Sequence, residues 1–171
     1  MKLQETHEIS KASISLMVGF FCLLVGYNNI IDYNTNYQFL EHVLRMDAMQ
    51  PWFQGEHLKS RAITNDILVH IGYWGIIAGE LVAGFFCTFG SLVMLKNICK
   101  DKFEFGQSLY LIGGTVALFV WFLGFAIIGA EWFQMWASKW NGQMKAYAFI
   151  SFIVMTMVYV VIPSPKFSSN Q

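Results

Sequence analysis

The chain has 171 residues, 56% of them hydrophobic, 17% aromatic and 13% charged, with a formal net charge of zero. A soluble domain of this length cannot hide so much apolar surface, and no block of basic residues marks a nucleic-acid partner. Four apolar runs, 12–31, 67–95, 109–130 and 144–162, carry the excess, and each is about as long as the roughly 20 helical residues that cross a bilayer core.

The fold class that follows is an all-α membrane protein, a bundle of four transmembrane helices within one integral membrane domain. A closed barrel would instead show many short alternating segments. The first run is long for a secretory signal and lacks a small-x-small cleavage pattern, so it is expected to stay attached. Ser10 and Ser13 are placed to cap its start, and its far end carries Asn28, Asn29 and Asp32, polar groups that need partners at an interface. The connection from Tyr33 to Asp66 is long enough to hold structure of its own. Within it Tyr37, Leu40, Val43 and Leu44 share one helical face, which predicts an amphipathic helix lying on the bilayer or capping the bundle, broken at Pro51, Trp52 and Phe53.

Thr64, Asn65 and Asp66 read as the capping start of the second span. That span holds the Gly75 to Gly79 spacing, which lets helix backbones approach closely, and beside it a single acid, Glu80, near the middle of the run. The third span ends in Glu131, Trp132, Phe133, Gln134, Met135 and Trp136, and Trp140, Asn141 and Gly142 turn the chain into the fourth. Cys22, Cys87 and Cys99 lie in or just beyond apolar runs, which suits packing better than a disulfide framework. Lys2, Lys11, Lys96, Lys100, Lys102 and Lys166 gather on the side of both termini, while Arg45, Lys59, Arg61, Lys139 and Lys145 are spread over the longer loops. Both termini are therefore expected in the cytoplasm, with the long loops forming an outer polar and aromatic cap.

The runs Asn28 to Tyr33, His42 to Asp47, Arg61 to Thr64, and Glu131 to Trp136 with Trp140, Asn141 and Gly142 resemble the bacterial small integral membrane protein family catalogued as domain of unknown function 2165. The likeness covers nearly the whole chain. It departs locally, with Ala130 where a second glycine is expected after Gly129 and Leu40 where valine is expected. What the resemblance implies is a multi-pass, four-helix protein of a bacterial inner membrane; it implies no activity, and the residues must carry the rest.

A carboxyl group in hydrocarbon must be neutral, paired inside the bundle, or open to a watery cavity. Glu80 is accordingly the intramembrane acid or relay candidate, reached from the outer face through Tyr73 and Asn28. The plainer reading is an acid hydrogen-bonded to a neighbouring helix or subunit. On the outer face, Asp32, His42 and Glu131 are the first candidates for a transition metal, with Glu41, Asp47, His57 and His70 nearby, although no pair has a metal-ligand spacing such as H-E-x-x-H. The preferred reading there is a polar network in which Arg45 and Arg61, the only arginines, pair with Asp32, Asp47 or Glu131. Trp132, Phe133, Trp136 and Trp140 form an aromatic cap, read first as an interfacial belt and second as a docking surface.

These features favour a non-enzymatic assembly or accessory subunit that self-associates or joins a larger membrane complex, with no cofactor. The alternative is a small oligomeric transporter or channel with Glu80 as proton or cation relay. Third comes a membrane-bound metal-binding protein using the outer-face cluster.

Overall fold

A computed structural model describes residues 2–165; Lys166, one of the lysines used for orientation, lies outside them. The elements in order are α1 (Leu3–Ile31), α2 (Tyr33–Arg45), a 3-10 turn (Glu56–Arg61), α3 (Asp66–Lys96), α4 (Phe103–Leu118) continued by a π-helical segment (Phe119–Trp132), a short 3-10 turn (Met135–Ala137) and α5 (Gln143–Val161). Four helical stretches, Leu3–Ile31, Asp66–Lys96, Phe103–Trp132 and Gln143–Val161, are long and apolar enough to cross a membrane.

The helix ends differ from the sequence reading where polar residues continue a helix. α1 starts at Leu3, not at Ser10 or Ser13, because the polar lead is itself helical; Glu5 reaches back to accept from the Lys2 backbone N–H. The third span likewise begins at Phe103, ahead of its apolar run. For α3 the expected cap is present: the Asn65 side chain accepts from the backbone N–H groups of Ile67 and Leu68, satisfying two donors that the first helical turn leaves free.

α3 lies between α1 and α4 and packs along both. Each contact depends on missing side chains. A Cβ at Gly19 would stand 2.4 Å from Thr88 Oγ1, one at Gly84 2.8 Å from the Leu23 backbone, and one at Gly26 2.9 Å from Leu81. These pairs give α1 and α3 an antiparallel register in which Asn29 falls beside Glu80. Against α4 the approach is backbone on backbone: Cβ atoms at Gly90 and Gly106 would each meet main-chain atoms of the other helix within 2.8 Å. In hydrocarbon such close packing replaces the hydrophobic drive available to soluble bundles.

Gly75 and Gly79 part company. A Cβ at Gly79 would come 2.6 Å from Val120, so this glycine seats the start of the π segment, whereas one at Gly75 would meet nothing within 4 Å. Beyond the Gly79–Val120 crossing the π segment leans to α5 and contacts α3 little. Its hydrogen bonds skip five residues, as from Phe133 N to Ile128 O at 3.0 Å. π geometry is usually a single-turn bulge, common at functional sites; here it runs through the whole half of the span next to the cap.

The cap has a small core of its own, with Val43, Met46, Ala130, Phe133 and Met135 buried together. α2 ends before Pro51, at buried Met46, which adopts left-handed backbone at φ 51°. The two loops are then laced by main-chain hydrogen bonds, Gln50 N to Ala137 O at 2.8 Å and Lys139 N to Ala48 O at 2.9 Å.

Candidate functional site

Glu80 is 2% exposed and points from α3 into α1. Gly26 makes the room, since a Cβ there would sit 3.4 Å from that of Glu80. Asn29 Nδ2 donates to Glu80 Oε2 at 2.7 Å, and the buried Tyr73 hydroxyl donates to the Asn29 carbonyl at 3.1 Å. Tyr73, Asn29 and Glu80 therefore form one continuous polar group. Asn28, the residue named from sequence, is exposed instead; consecutive helical positions differ by about 100°, so only one of two adjacent asparagines can face the bundle.

The acid is also nearer the cap than its place in the run suggests. Asn29 has only about 3 Å of rise left before α1 ends at Ile31. α3 continues about 21 Å past Glu80 to Asp66, because its first turns pack on α2 and the cap rather than on α1.

Glu80 and Asn29 line a cavity of about 220 Å³ whose walls include Trp121, Phe125 and Phe149 and whose cap-side rim holds Asn36, Asn141 and Lys145. Among the described residues Asn29 is the one hydrogen-bond partner of the Glu80 carboxyl, and the exposed Lys145 ammonium pairs with no acid. Across Phe39, Leu40, Ile76 and Phe125 lies a second, apolar cavity of about 190 Å³, reaching Gly72, Gly124 and Ile128 where α3 and the π segment separate.

The polar residues of the cap form pairs rather than one network. His42 Nδ1 lies 2.8 Å from Asp47 Oδ1, and its ring stacks on Trp140. Arg45 pairs with Glu41 and with Asp66, not with the expected Asp32, Asp47 or Glu131. It sits on the last turn of α2, four residues after Glu41 and facing the start of α3, while the left-handed Met46 turns Asp47 back to His42. Arg61, by contrast, pairs with no carboxylate among the described residues: it donates to the Trp132 carbonyl at 3.1 Å and lies 4.4 Å over the Trp132 ring. Asp32 and Glu131 are exposed. Among the described residues no three His, Cys, Asp or Glu side chains come together as a metal site, so the metal candidates Asp32, His42 and Glu131 remain apart.

The aromatic cap is divided by burial. Phe133 is in the cap core and Trp140 half-buried against His42, whereas Trp132 and Trp136 are exposed and Trp136 stacks on Trp52 at 5.8 Å.

The bundle's other end, near the termini, holds two buried ionisable side chains, Glu8 and Lys11, that sequence reading does not single out as a site. Glu8 accepts from the Cys99 backbone N–H at 2.6 Å and from Gln4 at 3.0 Å. It thereby ties down a loop residue held at φ 57°. Lys11, 1% exposed, donates to the Ile162 carbonyl and to Ser164, closing the end of α5. The available signal was their spacing, since Glu8, Lys11 and the buried Ser15 follow one helical face. Cys22, Cys87 and Cys99 are free thiols.

A helical bundle with four apolar spans, a buried intramembrane acid and a separately packed cap defines a small integral membrane protein. The chain belongs to the family of predicted small integral membrane proteins called domain of unknown function 2165, whose pattern matches residues 7–163. Comparison with curated proteins and with solved structures finds no match.

Proposed function

We propose that this protein is a non-enzymatic assembly or accessory subunit of a bacterial inner membrane, its termini cytoplasmic and its cap outside, associating through α3 with a second copy or a larger complex. The observation that carries this reading is Gly75. A glycine inside a helix costs up to about 1 kcal/mol relative to alanine. The other α3 glycines at helix crossings, Gly79, Gly84 and Gly90, are each filled by a neighbour within 3 Å, and Gly75 alone faces open space. Ile71 and Trp74 flank it and are exposed, so a second helix could seat there as closely as α1 and α4 do elsewhere on α3.

The test is Gly75→Leu, read by native mass spectrometry from gently solubilised membranes. The new Cβ has no atom within 4 Å among the described residues, so an effect on assembly without loss of the folded monomer is intermolecular. A wild-type oligomer or mixed complex that becomes a folded monomer in the variant supports the reading; a wild-type monomer, or an assembly untouched by leucine, overturns it.

A second reading, conduction through Glu80, draws on the buried hydroxyls of Ser15, Thr88 and Tyr110, which have no partner within the chain among the described residues. They lie in the part of the bundle below Glu80, where water could join them. Glu80→Gln in proteoliposomes separates the readings: a proton or cation flux that glutamine abolishes favours conduction, and no flux in the wild type removes it.

A further inference from the structure

Two adjacent cavities near the cap, separated by Phe39, Leu40, Ile76 and Phe125, combine three features that one ligand class satisfies together. At the floor of the first is a carboxyl group, almost fully buried, with a single amide partner and a second oxygen left unpaired among the described residues. At the rim is an ammonium, Lys145, that pairs with no acid among the described residues. Next door is an apolar cavity bordered by exposed Gly72 and Ile128 at the seam between α3 and the π segment. A buried carboxylate is strongly stabilised by a cation that also donates hydrogen bonds. The neighbouring rings of Trp121 and Phe149 suit a positive charge as well. Each cavity alone is small for a ligand site, and a ligand that occupies both with different groups reaches the lower end of the usual range of about 300–1,000 Å³.

From this juxtaposition we propose that the cap end binds one ethanolamine phospholipid. Its primary ammonium docks on Glu80 and the free carbonyl oxygen of the Asn29 side chain, its phosphate meets Lys145 and Asn36 at the rim, and an acyl chain enters the apolar cavity. Charge order selects the headgroup: acid deep and base at the mouth match an ammonium that precedes a phosphodiester. A glycerol headgroup has no cation for Glu80, and a choline headgroup has a cation but no N–H donor. The site stands whether or not the chain self-associates.

The purified protein is equilibrated with vesicles of equal parts phosphatidylethanolamine, phosphatidylcholine and phosphatidylglycerol, and the lipids that survive stripping are counted per chain by native mass spectrometry. Retention of the ethanolamine lipid at least about tenfold over either competitor is expected, the magnitude of a charge-assisted hydrogen bond. Glu80→Gln should bring the three to parity. Gly72→Leu, whose Cβ meets nothing closer than 3.9 Å, should fill the apolar cavity and expel lipid while Glu80 is intact. Equal retention of the three lipids by the wild type overturns the proposal even if Glu80→Gln does not fold. Preference surviving Glu80→Gln also overturns it. So does displacement by acyl-free glycerophosphoethanolamine at the same concentration, which would assign the site to a soluble amine.

Discussion

The two ends of the bundle handle buried charge in opposite ways. Near the termini, Glu8 and Lys11 border a cavity of about 530 Å³ but are already engaged, Glu8 by the Cys99 amide and Gln4 and Lys11 by the Ile162 carbonyl, and glycine crossings bring α3 and α4 into main-chain contact. Near the cap, Glu80 has one amide partner and faces a cavity, Gly75 faces open space, and the π segment diverges from α3. A charge that closes a loop or a helix end is a structural lock. An acid beside a cavity, with an oxygen unpaired among the described residues, is available to something else.

This contrast predicts graded responses to substitution, each read as the fraction of monodisperse protein left after heating in detergent. Gly106→Leu should be the most damaging, at about 3 kcal/mol or more, because the new Cβ lies 2.8 Å from the Gly90 carbonyl oxygen and the Met94 amide, neither of which can yield cheaply. Glu8→Ala should cost about 1–3 kcal/mol, since it strips a charged acceptor from the Cys99 amide. Asn29→Leu should fall at the lower end of the same range of about 1–3 kcal/mol: Glu80 loses its partner but can turn to the cavity. If Asn29→Leu proves worse than Glu8→Ala, the cap end is as locked as the other. Arg45→Met removes two partly exposed ion pairs and should cost less than about 1 kcal/mol. Gly75→Leu should leave the monomer unharmed or stabilise it by up to about 1 kcal/mol.

Elements defined by long or strongly periodic patterns were legible in the sequence. The four spans, the amphipathic α2 with Tyr37, Leu40, Val43 and Leu44 inward, and the Asn65 cap all follow from apolar period and end chemistry. Pairings were not, because they depend on angles that composition does not encode. One residue of helix separates Asn29 from Asn28, and that rotation decides which of them reaches Glu80. Asp47 is turned away from Arg45 and back to His42 by the left-handed turn at Met46, a buried non-glycine residue that carries no sequence mark of that conformation. Glu80 sits at mid-run in sequence yet near the cap in space, because α3 outruns α1. The π segment is apolar all round, so its period could not be told from that of an α-helix. Lys11 was counted as an interfacial lysine because its acceptor, the end of α5, lies at the far end of the chain.

The most direct test that the buried acid near the cap is reachable through its cavity is thiol accessibility at two buried positions. Glu80→Cys and Ser15→Cys are each placed in a chain whose three native cysteines are replaced, and both are exposed to a small polar methanethiosulfonate in intact membranes. Both positions are buried within the chain, but only Glu80 lines the cavity beneath the cap. The account predicts that the thiol at 80 reacts while the thiol at 15 stays protected. Equal protection at both, or faster reaction at 15, would contradict it.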